Sequence, residues 1–396
     1  MPGRGGASVR PRRIVVVGTL ASDPYAGMAW MHMQIVVGLR RLGHDVYYFE
    51  TTSSWPYDPI RRTRVCDSEY SVAYLARVAE SFGLGDRWAY RRSYGDKAWF
   101  GLCRCRAEEL LANADAVLNV AGATRLAEED LKVGRLVYFG TDPVRHEIAY
   151  INGHEDVRTL VDEHHEFVTY GENLGAPDCP VPVFDPLRAK TRQPVLLDAW
   201  EGEPASNGSF TTVCNWRQDG HDVEYRGETY YWSKHHEFLK FVDLPRRIGE
   251  PLELAMNLAN LDSDEQRMLS SYGWRLVDAH DITSDPWPYR DYIRASRGEF
   301  TVAKDQNVRL RSGWFSERSA CYLAAGRPVI TQDTGFGRYI PTGEGLFAFN
   351  SMEEIVDAFE AIRSDYARHS RAARAVAEEY FRAETVLAKL IRDLEL

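Results

Sequence analysis

The 396-residue sequence predicts an α/β protein built from two doubly wound domains. Short apolar runs of strand length alternate with segments of helical periodicity, as in parallel sheets covered by helices. Six of the 18 prolines fall between Pro177 and Pro204, which is typical of a crossing between domains. Apolar residues make up 44% and charged residues 27% of the chain, which excludes a disordered chain, a coiled coil and a collagen-like repeat.

The first βαβ unit is the clearest part of the pattern. Ile14–Val17 is a β-branched run, as expected of a parallel strand buried on both faces. A loop over residues 18–27 leads to a predicted helix, Met28–Leu42, which ends before Gly43. Asp45–Phe49 is the next strand, so the chain begins a doubly wound sheet.

The same alternation continues in both halves. The further predicted strands are Ala116–Val120, Leu136–Phe139, Phe167–Tyr170, Phe210–Cys214, Leu252–Met256, Trp274–Val277, Phe300–Ala303, Val329–Thr331 and Leu346–Phe349. Helices are predicted over residues 104–113 and 317–325 and from residue 352 onwards. We expect a flexible basic N-terminus (1–13), an N-terminal domain (14–190), a C-terminal domain (191–365) and C-terminal helices (366–396) that pack back across the junction.

Charge, cysteines and hydropathy narrow the classes of protein. The net charge of −10 argues against nucleic-acid binding driven by bulk positive charge. The six cysteines include no CxxC pair, and Cys103–Cys105 lacks a second pair for zinc, so we expect reduced thiols in a cytoplasmic protein. No run approaches the roughly 18 apolar residues of a membrane span, and no signal-peptide pattern follows the basic N-terminus.

Polar residues that follow predicted strands are the candidate catalytic groups of the first half. Open α/β sheets bind ligands at the carboxyl ends of their strands. Asp23 in the first loop, His32 near the start of the first helix and Asp142 after Leu136–Phe139 are therefore candidates for a general base. The alternatives are a half-buried helix histidine for His32 and a helix cap ahead of Pro143 for Asp142.

Cofactor motifs are absent from the sequence. The first loop lacks the GxGxxG of dinucleotide-binding proteins, so Glu50 at the end of the second strand is expected to be a solvated acid. The histidine pairs 164–165 and 235–236 lack the i, i+4 spacing of a zinc-binding helix. We expect no metal.

The last third carries the most specific pattern. Ser316 can cap a helix that begins at Glu317, and Ser319 lies in its first turn. Free amides at that helix end, with Arg318 as a bidentate cation, predict a diphosphate site. Three residues of the loop after Val329–Thr331 are placed on the same edge: Asp333, Thr334 and Gly335.

Parts of the sequence resemble nucleotide-sugar-dependent glycosyltransferases of the GT-B fold. The resemblance to their donor-binding half lies in SERSACYLAAGRPVITQDTGFG and the later GEGLFAFNSMEEIVDAF. The N-terminal run AGMAWMHMQIVVGLRRLGHDVYYFE is similar to the acceptor-side opening of the same fold. Together these runs imply two Rossmann-like domains that face each other across a cleft, with the acceptor on the N-terminal and the donor on the C-terminal domain.

One departure from the family pattern concerns stereochemistry. Retaining members commonly carry two glutamates eight positions apart, the second within the small-residue helix. In this sequence Gly313 and Cys321 stand at those positions, and Glu317 cannot simply take either role. Retention or inversion therefore stays open.

The resemblance implies a metal-independent transfer from a UDP- or dTDP-sugar, with no cofactor beyond that cosubstrate. The implied bases are Asp142, His32 and Asp23. The implied donor-side residues, which neutralise the diphosphate or enclose the nucleoside, are Asn215, Trp216, Arg217, Trp232, Lys234, Lys304, Ser316, Glu317, Arg318, Ser319, Asp333, Thr334 and Gly335.

Other functions and partners stay open at this point. A nucleotide-sugar epimerase of similar fold and a non-catalytic nucleotide-sugar-binding protein are the alternatives, whereas the missing GxGxxG argues against an NAD enzyme. The acceptor is expected to be a small molecule, and a natural product of the kind found in antibiotic biosynthesis is compatible with the composition. A homodimer is a further open expectation.

Overall fold

The computed structural model describes residues 10–52, 54–202 and 207–396. The expected flexible N-terminus lies outside the described residues up to residue 9. None of the described helices is long and apolar enough to cross a membrane.

The N-terminal half is built on one mainly parallel sheet. The strands of this sheet are β1 (Arg13–Val17), β2 (Asp45–Thr52), β5 (Trp88–Arg92), β6 (Trp99–Gly101), β7 (Ala116–Val120), β8 (Leu136–Gly140), β9 (Glu166–Thr169) and β10 (Leu187–Lys190). Two further strands, β3 (Tyr57–Asp58) and β4 (Thr63–Arg64), form a separate hairpin. The order across the sheet is β10-β9-β8-β7-β1-β2-β5-β6, with β6 antiparallel to β5. The helices of this half are α1 (Ala26–Arg41), α2 (Glu69–Ser81), α3 (Arg104–Asn113), α4 (Arg145–Ile151) and α5 (Glu155–Asp162).

The C-terminal half contains a second sheet, which is parallel throughout. The strands of this half, with β12 and β13 forming a hairpin, are β11 (Phe210–Val213), β12 (Val223–Tyr225), β13 (Glu228–Tyr230), β14 (Leu252–Met256), β15 (Arg275–Asp278), β16 (Gly298–Thr301), β17 (Val329–Gln332) and β18 (Leu346–Phe349). The order is β15-β14-β11-β16-β17-β18. The helices are α6 (His235–Phe238), α7 (Ser263–Tyr272), α8 (His280–Thr283), α9 (Pro286–Ala295), α10 (Asp305–Arg309), α11 (Glu317–Ala324), α12 (Met352–Ser364), α13 (Tyr366–Tyr380) and α14 (Ala383–Asp393).

In each sheet the first strand lies in the interior, and later strands are added on both sides of it. In the first sheet β2 lies on one side of β1 and β7 on the other, and in the second β14 and β16 flank β11. The connections on the two sides of such a strand run to opposite faces of the sheet. They therefore leave a crevice between them at the carboxyl ends of the strands. The predicted fold class, two Rossmann-like doubly wound domains, is confirmed.

The C-terminal helices connect the two halves. The helix α13 packs on α11, and α14 packs on α1 of the N-terminal domain. Close approach of α1 and α14 requires a small residue, because a Cβ added at Gly38 would lie 2.5 Å from Leu387 Cδ1. The turn between α13 and α14 is also bonded to the segment that crosses between the domains. In that segment the Val195 amide donates to Phe381 O at 2.7 Å, and the Val195 carbonyl accepts from Ala383 N at 2.9 Å.

The predicted elements match the structure most closely where apolar runs are long. Ala116–Val120, Leu252–Met256 and Leu346–Phe349 are strands with the predicted bounds. The structure adds to the first sheet, beside β9, the strand β10, which is not among the predicted strands. The segment LRAK of β10 is a short edge strand with mixed polarity, which gives no periodic signal.

Candidate active site

An ion pair joins the facing edges of the two domains. Asp142 follows β8 of the N-terminal sheet, and Lys304 follows β16 of the C-terminal sheet. Lys304 Nζ lies 2.6 Å from Asp142 Oδ1. Lys304 is buried, and burial lowers its pKa from the ordinary value although Asp142 pulls in the opposite direction. The Asp142 side chain is 41% exposed, so its carboxylate is accessible from the cleft.

A cavity of about 130 Å³ lies beside this ion pair. Its lining comes from the N-terminal domain and from one tryptophan of the C-terminal domain: Ala121, Tyr138, Thr141, Asp142, Arg145, His146 and Trp232. Lys304 Nζ stands 3.1 Å from the centroid of the Trp232 ring. The cavity therefore combines an aromatic wall with charged groups from both domains, as ligand sites of open α/β proteins do.

Lys234 adds a second ammonium on the C-terminal side. Its Nζ lies 6.0 Å from the centroid of the Trp314 ring, and Trp314 Nε1 donates to Thr141 O at 2.9 Å across the domain boundary. Burial, reinforced by the nearby Arg318 and Lys304, lowers the pKa of Lys234 to about 7. In the described part of the chain, no hydrogen-bond acceptor or carboxylate pairs with this ammonium. Glu299 acts on Lys234 only at longer range and is itself paired with Arg318. A protonated Lys234 would therefore meet an entering anion with no carboxylate in contact with it.

The structure places His32, a predicted candidate base, in the protein core. The side chain is fully buried, with Nδ1 2.7 Å from Met28 O and the ring packed on Gly18, where an added Cβ would lie 2.1 Å from Nε2. Burial lowers the pKa of His32 to about 4. His32 Nε2 has no hydrogen-bond partner among the described residues, and His32 is not among the residues that line the cavity beside Asp142, so a role of His32 as base stays a prediction.

Asp23 takes part in a separate ion pair. Its Oδ1 accepts from Arg64 Nη2 at 2.9 Å, and Arg64 belongs to the β3–β4 hairpin. On the same hairpin Arg62 lies 3.7 Å from Asp278 of the C-terminal domain. The structure thus brings Asp23 to the hairpin and Asp142 to Lys304, as two distinct sites.

Glu50 is a residue whose role the sequence did not reveal. It is fully buried, not solvated, and its carboxylate accepts from Ala21 N at 2.8 Å, Ser22 N at 2.6 Å and the Tyr48 hydroxyl at 2.9 Å. Burial raises the pKa of Glu50 to about 7. The carboxylate fixes the loop after β1 by binding its free amides. The signal in the sequence was an acid at a strand end that faces a long loop.

The structure pairs Arg318, the cation predicted to bind a diphosphate, with groups of its own domain. Its Nε binds Glu299 Oε1 at 2.5 Å, and its Nη1 and Nη2 donate to Val213 O at 2.6 Å and Thr301 Oγ1 at 2.9 Å. Glu299 is fully buried. Arg318 therefore neutralises an internal carboxylate and ties the carboxyl ends of β11 and β16 together.

The residues after β11 also differ from the predicted nucleoside slot. Trp216 belongs to the core of the C-terminal domain, with Nε1 donating to Glu265 at 3.0 Å, so it is not a wall of an open site. Arg217 pairs with the same Glu265 at 2.7 Å and donates to His235 at 3.0 Å. Asn215, which precedes Trp216, is exposed.

The start of α11 is joined to the N-terminal domain. Ser316 is the N-cap residue but its side chain makes no cap hydrogen bond, and Ser319 Oγ is buried with no partner among the described residues. Glu317 Oε1 accepts from Gln34 Nε2 of α1 at 2.8 Å and from Cys321 Sγ at 3.1 Å. Burial raises the pKa of Glu317 to about 7, so the charge at this helix end depends on pH near neutrality.

The loop after β17 forms a compact turn. Asp333 Oδ1 accepts from Gly335 N at 2.8 Å, and Gly335 has the positive φ of 92° that this turn requires. Thr334 Oγ1 donates to Trp314 O at 2.5 Å. The loop therefore supports Trp314 and, through it, the aromatic side of the cleft.

Comparisons with solved structures agree with this architecture. The chain is similar to AviGT4, a glycosyltransferase involved in avilamycin A biosynthesis, with a TM-score of 0.54 and 11% identity over 96% of each chain. It is also similar to HepE of Anabaena in complex with UDP and glucose, with a TM-score of 0.57 and 10% identity over 97% of this chain and 99% of that one. For sucrose-phosphate synthase from Thermosynechococcus elongatus the TM-score is 0.53 at 11% identity, over 97% and 99% of the two chains.

These similarities establish the fold. The chain has the GT-B fold, in which two Rossmann-like domains face each other across a cleft. Neither the comparison with protein-family models nor the comparison with curated protein sequences finds a match. Within the described ranges, no group of three or more His, Cys, Asp or Glu side chains is arranged to hold a metal ion.

Proposed function

We propose that this protein is a glycosyltransferase that moves a sugar from a UDP- or dTDP-sugar to a hydroxyl of a small-molecule acceptor. The observation that carries the proposal is the meeting of Lys304, Lys234 and Asp142 at the interdomain cleft. The ammonium of Lys304 lies 2.6 Å from the carboxylate of Asp142, which the opposite domain supplies. Cations for a leaving group and a base for a hydroxyl thus stand together.

The two lysines take the role that the sequence assigned to Arg318. A departing nucleoside diphosphate carries negative charge, and fixed cations that face it stabilise the transition state. Lys234 and Lys304 are both largely removed from water, where such an interaction is strongest. Protein cations would then replace a divalent metal. The amides in the first turn of α11 add donors on the same side.

Asp142 is the proposed base. A diphosphate competes with Asp142 for Lys304, and a carboxylate released from its ion pair can accept the proton of an acceptor hydroxyl. The acceptor approaches from the N-terminal domain because the donor occupies the C-terminal one. His146 and Arg145 stand beside Asp142 in the cavity and orient the acceptor.

The structural neighbours support the proposal by analogy of fold. HepE holds UDP and glucose, and AviGT4 acts in the biosynthesis of avilamycin A. By analogy with AviGT4 we include natural products among the candidate acceptors. A cytoplasmic location and action as a homodimer complete the proposal.

The test uses the full-length protein with UDP-glucose, UDP-galactose, UDP-N-acetylglucosamine and dTDP-glucose. Nucleotide release with water as acceptor measures turnover, and calorimetry measures UDP affinity. Asp142→Asn is expected to lower turnover by about 10²–10⁴ while UDP affinity stays within a few fold, as for loss of a general base. Asp23→Asn is the matched control, since Asp23 pairs with Arg64 away from the cavity.

Other outcomes contradict the proposal. If no nucleotide binds, the protein does not use a nucleotide sugar. If the sugar returns with an inverted C2 centre, the protein is an epimerase. Full turnover of Asp142→Asn alongside nucleotide binding removes Asp142 as the base.

A further inference from the structure

The cavity beside Asp142 presents an excess of positive charge. Arg145 lines this cavity, and among the described residues no carboxylate lies within ion-pair distance of its guanidinium. The nearest acid in the lining, Asp142, is already paired with Lys304 at 2.6 Å. At contact distance Arg145 and Lys304 meet one carboxylate, that of Asp142, while Asp156 and Asp222 act at longer range on the neighbouring His146 and His221. A carboxylate on the ligand would compensate the charge of Arg145 directly.

A hydrogen-bond chain from Arg145 through His146 determines the direction in which the Tyr138 hydroxyl donates. Arg145 Nη1 lies 2.9 Å from His146 Nε2, and His146 Nδ1 is hydrogen-bonded to the Tyr138 hydroxyl. Because arginine only donates, Nε2 accepts and the ring proton of the neutral imidazole sits on Nδ1. The imidazole then donates to the Tyr138 oxygen. The hydroxyl proton of Tyr138 is left to donate elsewhere, and Tyr138 lines the cavity.

The aromatic wall supplies the remaining contact. The Trp232 indole N–H donates to Gln218 Oε1 at 2.8 Å. Lys304 Nζ stands over the ring, 3.1 Å from its centroid, and Trp232 lines the cavity with the part of the ring that this ammonium leaves open. Sugar rings present a face of C–H groups that packs on such a surface. The cavity, with a volume of about 130 Å³, is open to the cleft, so it can enclose one sugar ring of a larger ligand.

We propose that this cavity selects a sugar ring that carries a carboxylate. Arg145 and the Tyr138 hydroxyl donate to the carboxylate oxygens, and the ring packs against Trp232. A carboxylate accepts at both oxygens and compensates the charge of Arg145, whereas a neutral hydroxymethyl group at the same position does neither. The inference rests on the proposed function, and it deepens it by naming the class of substrate.

The carboxylated ring can belong to the donor or to the acceptor, and two arms of one experiment separate these sources. Calorimetry first measures UDP affinity for the full-length protein. The donor arm compares UDP-glucuronate with UDP-glucose. The acceptor arm compares free glucuronate with glucose, both with saturating UDP and without it, by saturation-transfer NMR. Glucose 6-phosphate serves in the acceptor arm as a phosphate-bearing ring.

The carboxylated ligand is expected to bind about tenfold tighter or more in one of the arms, the factor of a hydrogen bond to a charged group. Arg145→Met should abolish this preference. Tyr138→Phe should reduce it by a smaller factor, since it removes one neutral donor and keeps the ring. Arg104→Met is the control, because Arg104 is 73% exposed on α3 and pairs with Glu108. Tyr138→Phe also decides the question if Arg145→Met does not fold.

Three results would overturn the inference. One is equal binding of the carboxylated and neutral rings in both arms while UDP binds normally. Another is a preference that survives in both Arg145→Met and Tyr138→Phe. The third is tighter binding of glucose 6-phosphate than of glucuronate. Absence of UDP binding contradicts the proposed function instead, and the acceptor arm without UDP then still tests the cavity by itself.

Discussion

Arg318 and Lys304 occupy comparable places in the C-terminal domain but bind partners in different domains. Both lie near the carboxyl ends of strands in the C-terminal sheet, where the sequence predicts ligand binding. Arg318 is directed into its own domain and binds Glu299, Val213 and Thr301. Lys304 is directed across the cleft and binds Asp142 of the other domain. A basic residue at this edge serves a ligand only if its partner can be exchanged.

The two ion pairs differ in the solvent exposure of the carboxylate that remains when the cation is removed. Glu299 is fully buried, so removing Arg318 leaves a charge in the interior of the domain. Asp142 is 41% exposed, and water can replace Lys304 beside it. The first ion pair therefore contributes to folding, and the second can open for an anion at low cost.

The largest effect is expected from Arg318→Met. An unpaired buried carboxylate at Glu299 should lower the free energy of unfolding by about 3–5 kcal/mol, measured by urea denaturation. The double variant Arg318→Met/Glu299→Gln should recover part of this loss, because the buried charge is gone. Wild-type stability together with lost UDP affinity would return Arg318 to the donor site.

Lys304→Met tests the other side of the comparison. We expect UDP affinity to fall by about tenfold or more, the cost of a lost charge-assisted hydrogen bond. The free energy of unfolding should change less than in Arg318→Met, because Asp142 reaches water. Calorimetric titration with UDP is the measurement, and Lys132→Met, an exposed lysine of the N-terminal domain, is the control. Unchanged UDP affinity would place the diphosphate elsewhere.

Lys234 should make nucleotide binding depend on pH. Its pKa of about 7 means that above neutrality the free protein holds a neutral amine, which must take up a proton to face a diphosphate. UDP affinity should therefore fall as pH rises from 7 to 9, approaching tenfold per pH unit for one coupled proton. Lys234→Met should flatten this dependence, whereas Lys234→Arg should keep high affinity at pH 9. A slope that persists in Lys234→Met would assign it to another group.

The same shift has the opposite sign for folding. Lys234 binds fewer protons in the folded protein than in the unfolded chain between pH 7 and its ordinary value of 10.5. The contribution of this group to the free energy of unfolding therefore rises with pH across that window. Loss of affinity with gain of stability, over the same pH range, distinguishes this lysine from general alkaline denaturation.

The smallest effect is expected from Arg217→Gln. Its side chain is 49% exposed and pairs with Glu265, and exposed ion pairs contribute about 0–1 kcal/mol. UDP affinity should be unchanged within twofold error, since the guanidinium serves Glu265 and His235. A tenfold loss of UDP affinity at constant stability would restore Arg217 to the donor site.

Local sequence patterns were sufficient for much of the fold. The β-branched run of β1 and the apolar runs of β7, β14 and β18 predict buried parallel strands because each signal lies within a few residues. The strand β5, with sequence WAYRR, mixes aromatic and charged residues and is held by pairing with β2, so it left no such signal. Two-residue strands such as β3 depend entirely on a hairpin partner.

The structure brings some of the predicted site residues together and separates others. Asp142 was predicted at a ligand-binding edge because a position after a strand is a local property, and Lys304 was expected on the donor side only through the family resemblance. Their pairing joins residues 162 positions apart. His32 carried the same local signal as Asp142, yet its ring is shielded by Gly18 and the loop that Glu50 holds.

The sequence by itself predicted two doubly wound domains, which the structure confirms, and a set of polar residues expected at the carboxyl ends of the strands. These properties follow from periodicity and strand ends, which depend on neighbours within about one turn or one strand. Only the tertiary structure decided which of those residues face the cleft. That choice depends on burial and on partners far along the chain, since desolvation and pairing set the charge and direction of each side chain.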